Sequence, residues 1–218
     1  MDDSPTLLAA LGAGVLSAVS AAVVPLLPGF IGYVWNRGAL HTSAFLLGFS
    51  LVFMGLEAGA TGVGQALLDH LTLFERIAGV LLVVLGLRDM GLLGFATGSA
   101  ATAREPTSLG LTVSLAAGAA LTFGWTPLLD RILATATSAD TIGRGVGLLS
   151  TYAVGRAVPL FVSGLALRAF LRRPVTAGAE RTARKLISGG LVALTGTLIF
   201  AGLLPWIVAR LVAVLPVA

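Results

Sequence analysis

The sequence predicts an all-α membrane protein with six transmembrane helices. Of its 218 residues, 56% are apolar and only 11% are Asp, Glu, Lys or Arg, whereas a soluble domain carries about 25% charged residues. The mean hydropathy of +0.97 agrees with this composition. A soluble enzyme, a disordered tail and a secreted disulfide scaffold are therefore excluded.

Six apolar stretches are long enough to cross a bilayer, which takes about 20 residues. They cover roughly 6–34, 40–68, 76–99, 107–137, 144–171 and 185–210. Their apolar residues occupy all helix faces, as expected for helices surrounded by lipid and by one another. Met1-Asp2-Asp3 precedes the first stretch instead of the basic start of a signal peptide, so we expect this stretch to be a mature transmembrane helix.

The basic residues predict the orientation in the membrane. Nine Lys and Arg residues lie in the loops after segments one, three and five, and three lie on the opposite side. The nine are Arg37, Arg88, Arg104, Arg168, Arg172, Arg173, Arg181, Arg184 and Lys185, against Arg76, Arg144 and Arg210. By the positive-inside rule the first set faces the cytoplasm. We therefore expect a bacterial or archaeal cytoplasmic membrane protein with both termini outside and no nucleic-acid partner.

The two halves of the chain share a pattern. Segments three and six carry glycines seven residues apart, at Gly79 and Gly86 and at Gly189 and Gly196. Both then reach a Gly-Leu-Leu sequence, at residues 91–93 and 202–204. Segments two and five begin with an aromatic residue three positions before a glycine, at 45–48 and 152–155. Each half contains three spans, an odd number, so a half begins and ends on opposite sides of the membrane. The second half of such a 3+3 repeat therefore inserts in the orientation opposite to the first. The chain is thus expected to form one domain with inverted repeat halves at about 1–100 and 105–218.

Prolines interrupt segments one and four. Pro25, with Pro28 and Gly29 close behind, is expected to break the first helix near residues 24–29, and Pro127 the fourth, because proline lacks the backbone N–H and its ring clashes with the preceding turn. Lipid does not tolerate an unsatisfied backbone, so the breaks must be buried or line a wet cavity. They are either structural kinks or, since they recur in both halves, a functional centre.

Four ionisable residues fall within the predicted spans, namely Glu57, Asp130, Arg131 and Arg156. Such residues usually face the interior and find a partner. Glu57 and Arg156 occupy corresponding segments and are expected to pair, while Asp130 and Arg131 follow the break at Pro127. Either structural pairing or the movement of a proton or ion fits these charges.

The remaining polar and aromatic residues predict no chemistry. With two His and no Cys, neither a metal site nor a bound cofactor is expected. Tyr33, Trp35 and Trp206 lie near span ends, where aromatic belts form.

Four stretches resemble the CcdA family, the six-helix relatives of the central membrane domain of DsbD. They are Val24–Phe30, Leu46–Phe53, Phe123–Pro127 and Tyr152–Phe161. The resemblance covers nearly the whole chain, and its most specific parts are Pro-Leu-Leu-Pro-Gly at 25–29 and Gly-Trp-Thr-Pro at 124–127.

The resemblance implies an inverted 3+3 helix repeat that carries electrons across the membrane by thiol–disulfide exchange. Family members accept reductant from cytoplasmic thioredoxin and pass it to outward-facing proteins, including those that prepare apocytochrome c for haem attachment. The family places one cysteine at each broken helix. In this chain Ala22 and Leu128 stand at those two positions, so it cannot perform the exchange, which requires a thiolate.

The sequence therefore predicts a redox-inactive accessory or scaffold subunit that is not an enzyme and that works with other membrane proteins, cytochrome-related ones among them. One alternative is an inverted-repeat transporter of an ion or small solute. Another is an engineered, redox-dead electron carrier. Ala21 and Asp130-Arg131 also differ from the family pattern, and these additional changes favour natural divergence over engineering.

Overall fold

We analysed a computed structural model of the chain, which contains only helices and turns in the part that it describes. The described residues are 7–17, 21–35, 37–57, 69–95, 107–124, 147–148, 151–152, 154–156, 158–159, 162–164, 166, 169 and 178–214. The α-helices are α1 Leu7–Ser17, α2 Leu27–Trp35, α3 Ala39–Glu57, α4 Leu71–Asp89, α5 Thr107–Thr122, α6 Gly178–Phe200 and α7 Leu204–Val214. Two 3₁₀ segments, Ala21–Leu26 and Leu92–Phe95, complete them, and the described residues of the fifth predicted span are helical as well.

The first predicted span is not one continuous α-helix. A 3₁₀ segment with Pro25 inside it stands between α1 and α2. Pro28 is the second residue of α2, a position where proline is tolerated because the first turn has no intrahelical partner for its N–H. The α-helical hydrogen-bond pattern is thus interrupted just before residue 27.

Helices α4 and α6 form the most extensive contact between described elements, and glycines lie at its centre. A Cβ atom on Gly86 would lie 2.5 Å from the Gly189 carbonyl oxygen, and one on Gly189 equally close to the Gly86 oxygen. Seven residues away on each helix, a Cβ on Gly79 would lie 2.7 Å from the Gly196 oxygen. The helices therefore run antiparallel, with their backbones in direct contact.

A second close contact joins α3 to α5. The backbone of Leu115 packs on Gly48, and that of Phe45 packs on Gly118. The Thr122 hydroxyl also donates to the Phe49 carbonyl at 3.0 Å. Similarly, α1 packs on the fifth span, since the Tyr152 carbonyl lies against Gly14 and the Leu11 carbonyl lies against Gly155. Small residues at these points let the helices approach closely.

The sixth predicted span, 185–210, is divided in two. Helix α6 ends at Phe200, α7 begins at Leu204, and Gly202 between them has a φ of 64°. Gly91, the second residue after α4, has a φ of 83°. The third span was expected to reach residue 99, but its α-helix ends ten residues earlier, at Asp89. Left-handed backbone of this kind favours glycine, which terminates helices. The apolar stretch predicted at roughly 185–210 therefore contains two helices, and the shared Gly-Leu-Leu sequence follows the end of both α4 and α6.

The surface of the described part is rich in large apolar side chains. Leu8, Val162, Leu194 and Trp206 are all more than half exposed. Within α6, Thr182–Phe200 is long and apolar enough to span a membrane, and shorter apolar helices lie at Leu7–Leu16, Val24–Trp35, Ala39–Phe53 and Leu109–Thr122. A surface of this composition suits lipid rather than water.

Candidate functional site

The described residue nearest to the second predicted break lies beside the first predicted break. Gly124 is the last described residue before Pro127, and a Cβ on it would lie 2.6 Å from Cδ2 of Leu26, the residue that follows Pro25. Leu204 and Ile199 contact the same point, at 2.9 and 3.0 Å. The beginning of α7 and the end of α6 thus close over the region where segments one and four approach.

The described lining of this region is apolar. Leu26, Ile199 and Leu204 are buried, and the Phe123 ring stacks on Phe74 with 5.5 Å between ring centroids. Pro25 is buried as well. Buried aliphatic and aromatic groups of this kind supply packing energy but no proton, ligand or electron donor.

Several predicted site residues lie outside the described part. Leu128, Pro127, Asp130 and Arg131 belong to residues 125–146, for which no structure is given. Ala22 belongs to the 3₁₀ segment, but its side chain is not among those that the structure describes. Gly29 is buried against Thr195 of α6, whose side chain would lie 2.8 Å from a Cβ at position 29.

Among the described residues, Arg156 is the charged side chain that is buried, with a relative exposure of 1%. Its guanidinium carbon lies 4.3 Å from the centroid of the Phe53 ring and 5.7 Å from that of Tyr152. Its backbone nitrogen would be 3.0 Å from a Cβ on Gly14. Arg156 therefore lies where α1, α3 and the fifth span meet. Glu57 is the last residue of α3, one turn beyond Phe53, and its side chain is not described.

A second polar cluster, which sequence reasoning missed, lies at the end of the molecule that carries Arg37. Nη2 of Arg37 donates to both carboxylate oxygens of Asp89, at 2.6 and 2.8 Å, and its guanidinium carbon lies 5.0 Å from the centroid of the Tyr33 ring. Arg184 donates to the Trp35 carbonyl at 2.9 Å. These contacts gather the loops after segments one, three and five at one end.

The prediction that Tyr33 belongs to an aromatic belt is wrong. Its exposure is 1% and its ring stacks on Phe45 at 4.4 Å between centroids, so it faces protein instead of the lipid interface, where belt residues lie. Trp206 is exposed, with the Arg210 guanidinium 5.5 Å from its ring centroid. The hydrophilic sequence Asn36-Arg37-Gly38 marks a loop, but it does not reveal which carboxylate Arg37 will bind.

No group of three His, Asp or Glu residues is clustered as metal ligands would be among the residues that the structure describes. His41 is half-buried on α3 and its ring lies against Gly110 of α5, where a Cβ would be 2.8 Å from Nε2.

The chain is similar to two proteins named for the maturation of cytochromes. It is 28% identical to the cytochrome c-type biogenesis protein CcdA of Halalkalibacterium halodurans, with 97% of each chain covered. It is 29% identical to a Haemophilus influenzae protein that is also named for cytochrome c-type biogenesis, over 86% of this chain and 91% of the other. No protein-family model matches the chain, and neither does a solved structure. The first relative bears the family name that the four sequence stretches predicted, and the second is named for the same process.

Proposed function

Since the chain is a homologue of the CcdA-type cytochrome c biogenesis proteins, we propose that it is a redox-inactive scaffold subunit of a membrane complex in that process. The observation that carries the proposal is the combination of near-complete coverage of a CcdA protein, at 97% of each chain, with the absence of cysteine. Thiol–disulfide exchange requires an attacking thiolate, so the chain retains the family's sequence without its reactive groups.

The packing around the breaks supports this role. Leu26, Ile199 and Leu204 fill the point where segments one and four approach, and all three are buried. Among the described residues, this packing holds the two segments together without offering a reactive group. The role left to such a fold is to present surfaces to other membrane proteins.

The proposal includes six spans arranged as an inverted 3+3 repeat. Glycine contacts support it, because each has a counterpart in the other half. Gly118 packs on Phe45, and Gly14 packs on Tyr152, the residue that corresponds to Phe45. Gly48 packs on Leu115, and its counterpart Gly155 packs on Leu11. In the α4–α6 contact, Gly86 packs on the Gly189 oxygen and Gly189 packs on the Gly86 oxygen. A two-fold axis that relates the two halves requires such an exchange.

The same proposal sets the orientation, with both termini outside a bacterial or archaeal cytoplasmic membrane. Contacts at one end join Arg37 to Asp89 and Arg184 to Trp35, and in the sequence the loops after segments one, three and five carry nine Lys and Arg residues against three on the opposite side. The positive-inside rule assigns it to the cytoplasm.

Purification of the tagged chain from its native membranes in mild detergent, followed by mass spectrometry, tests the scaffold role. We expect stoichiometric membrane partners, among them a protein with a Cys-x-x-Cys motif or haem. Deletion of the chain should then lower the amount of mature cytochrome c. A protein that purifies alone, and whose loss leaves cytochrome c unchanged, would contradict the proposal.

One observation favours a second function, transport of an ion or small solute. Arg156 is fully buried in a predicted span, and intramembrane charges often mark transport pathways. Asp130, Arg131, Glu57 and Arg156 would form the polar centre of such a transporter. In liposomes, solute flux should fall in D130N and R131Q, whereas a scaffold would show no flux in either variant or in the original chain.

A further inference from the structure

The chain leaves α6 through a hydrogen-bonded turn. Helix α6 ends at Phe200, and the N–H groups of Gly202 and Leu203 donate to carbonyls of its last turn, at 3.0 and 3.1 Å. With Gly202 at a φ of 64°, these bonds form the Schellman motif, which terminates helices. The stretch Thr182–Phe200 already has 19 residues and is long and apolar enough to span a membrane. Helix α6 therefore needs no residue of α7 to cross the bilayer.

Helix α7 is too short to cross a bilayer by itself. Its 11 residues extend about 16 Å, at about 1.5 Å per residue, which is about half of the hydrocarbon core. Among the described elements it packs mainly on the 3₁₀ segment Ala21–Leu26. On that side Leu204 is buried, and three further residues are half-buried, namely Ile207, Val208 and Leu211. One face of α7 thus lies against protein.

The opposite face of α7 carries an aromatic and a cationic side chain. Leu203, Trp206 and Arg210 are spaced three and four residues apart, so they share one side of the helix. Trp206 is 62% exposed and Leu203 46%, and Arg210 is exposed as well. The Arg210 guanidinium carbon lies 5.5 Å from the centroid of the Trp206 ring. A contact with a ring face leaves the N–H donors of a guanidinium available for an anion.

These two side chains restrict where α7 can lie. If α7 entered the hydrocarbon core, the exposed Arg210 would face lipid tails, where a charge is costly. If α7 projected into water, the large apolar ring of Trp206 would be hydrated and would lose the benefit of burial. The headgroup region meets both requirements, because tryptophan is enriched there and phosphate oxygens suit the fork of a guanidinium.

We propose that α7 lies along the membrane surface, with Trp206 in the headgroup region and Arg210 bound to the phosphate of a phospholipid. The proposal requires α6 to cross the membrane, but it is independent of the scaffold role and of transport. In the proposed orientation the leaflet is the outer one, because Arg184 near the start of α6 lies on the cytoplasmic side. The phosphate contact sets the depth of α7 instead of holding the fold together.

The absence of native cysteine permits a direct test, in which single nitroxide labels report depth in phosphatidylcholine vesicles. Collisions with oxygen, which concentrates in hydrocarbon, and with a water-soluble nickel chelate measure that depth. A209C and A213C place the label on the exposed side of α7, and L194C places it on the exposed side of α6. None of these side chains is buried, so the labels should not disturb the packing.

We expect equal depths for the A209C and A213C labels, at the level of the headgroups. The L194C label should lie deeper, since position 194 is about 9 Å from Phe200 along α6 at about 1.5 Å per residue. If α7 crossed the bilayer instead, the A209C and A213C labels would differ in depth by about 6 Å. That result would overturn the proposal, and so would two labels that meet the chelate as freely as a label in water.

Vesicles of digalactosyldiacylglycerol, which contain no phosphate, test the ligand. The A209C label should meet the nickel chelate more often there than in phosphatidylcholine, because Arg210 loses its anion. R210Q should abolish this difference between the lipids. R76Q is the matched control and should preserve it, since Arg76 is exposed and lies three residues before Gly79, which packs on Phe200 at the same end. If the original chain shows no difference, or if the difference persists in R210Q, Arg210 does not bind lipid phosphate and the proposal is wrong.

Discussion

Arg156 shows how a single charge is accommodated among apolar helices. An arginine stacked on an aromatic face keeps an electrostatic partner that the lipid does not offer, and the Phe53 ring, 4.3 Å from the guanidinium carbon, provides that face. Phe53 in turn stacks on Phe49, with centroids 6.0 Å apart. The charge is therefore held by a column of rings on α3, which fixes the fifth span against that helix.

The Arg156 contact leads to the first prediction. R156Q should lower the free energy of unfolding by about 2 kcal/mol, the value of a desolvated cation–π contact. R210Q is the matched control, because Arg210 faces Trp206 at the exposed surface. It should change the free energy by less than about 0.5 kcal/mol. Equilibrium unfolding in mixed micelles measures both, and equal effects for the two variants would show that burial does not strengthen the contact.

The Arg37–Asp89 pair leads to a second prediction at this scale. Because both side chains are partly exposed, the coupling energy in a double-mutant cycle of R37Q and D89N should be about 0.5–1 kcal/mol and should decrease with added salt. Unfolding of the two single variants and the double variant measures it. Strictly additive effects would mean that the 2.6 Å contact contributes nothing to stability.

Individual residues were predictable from the sequence only in part. Arg156 lies inside an apolar stretch, which predicts a buried charge, and the structure confirms its burial. Tyr33 was expected at the lipid interface because its position near a span end says nothing of rotation about the helix axis. The Arg37–Asp89 pair joins residues 52 positions apart, and only the packed helices bring them together.

At the scale of elements, the α4–α6 contact depends on which glycine faces the partner helix. Gly189 and Gly190 are neighbours in α6, yet a Cβ on Gly189 would lie 2.5 Å from the Gly86 oxygen, whereas one on Gly190 would meet nothing within 4 Å. The seven-residue spacing of glycines predicted similar helices in the two halves. It did not predict that these two helices pack on each other, because spacing within a helix carries no information about its partner.

The third prediction uses these neighbouring glycines as a matched pair. G189A should destabilise the protein by about 1–3 kcal/mol, the cost of overpacking a close contact. G190A should stabilise it by about 0.5–1 kcal/mol, because alanine restricts the unfolded chain in a helix without a clash. The measurement is again unfolding in mixed micelles. Loss of stability in G190A to the same extent as in G189A would contradict the assigned orientation of α6.

At the scale of the whole molecule, the contact between Leu26 and Gly124 brings residues from the two halves together beside the break predicted at Pro25. The sequence predicted interruptions at Pro25 and Pro127 from the chemistry of proline alone. It did not predict that α6 ends before Gly202 and that Leu204, the first residue of α7, lies against the same point. A glycine in a helical stretch does not by itself indicate that the helix ends there.

The fourth prediction tests this arrangement in the cysteine-free background. L26C combined with G124C should form a disulfide under mild oxidation. A Cβ at 124 would lie 2.6 Å from Cδ2 of Leu26, which is two bonds from the Leu26 Cβ, so the two Cβ atoms lie within about 5 Å, close to the separation of about 4 Å that disulfides require. L26C with G190C is the control and should remain reduced, because Gly190 has no neighbour within 4 Å. Intact mass after alkylation distinguishes the two states, and cross-linking in the control alone would overturn the arrangement.

The α4–α6 contact also constrains how the protein is synthesised. Helix α4 ends at Asp89 and α6 begins at Gly178, so α4 emerges from the ribosome roughly 5–20 seconds before its partner at typical elongation rates. During that interval the glycine face of α4, with its accessible backbone, has no native neighbour in the bilayer. The first half must therefore remain loosely assembled in the membrane, or be shielded by insertion machinery, until the last long helix arrives.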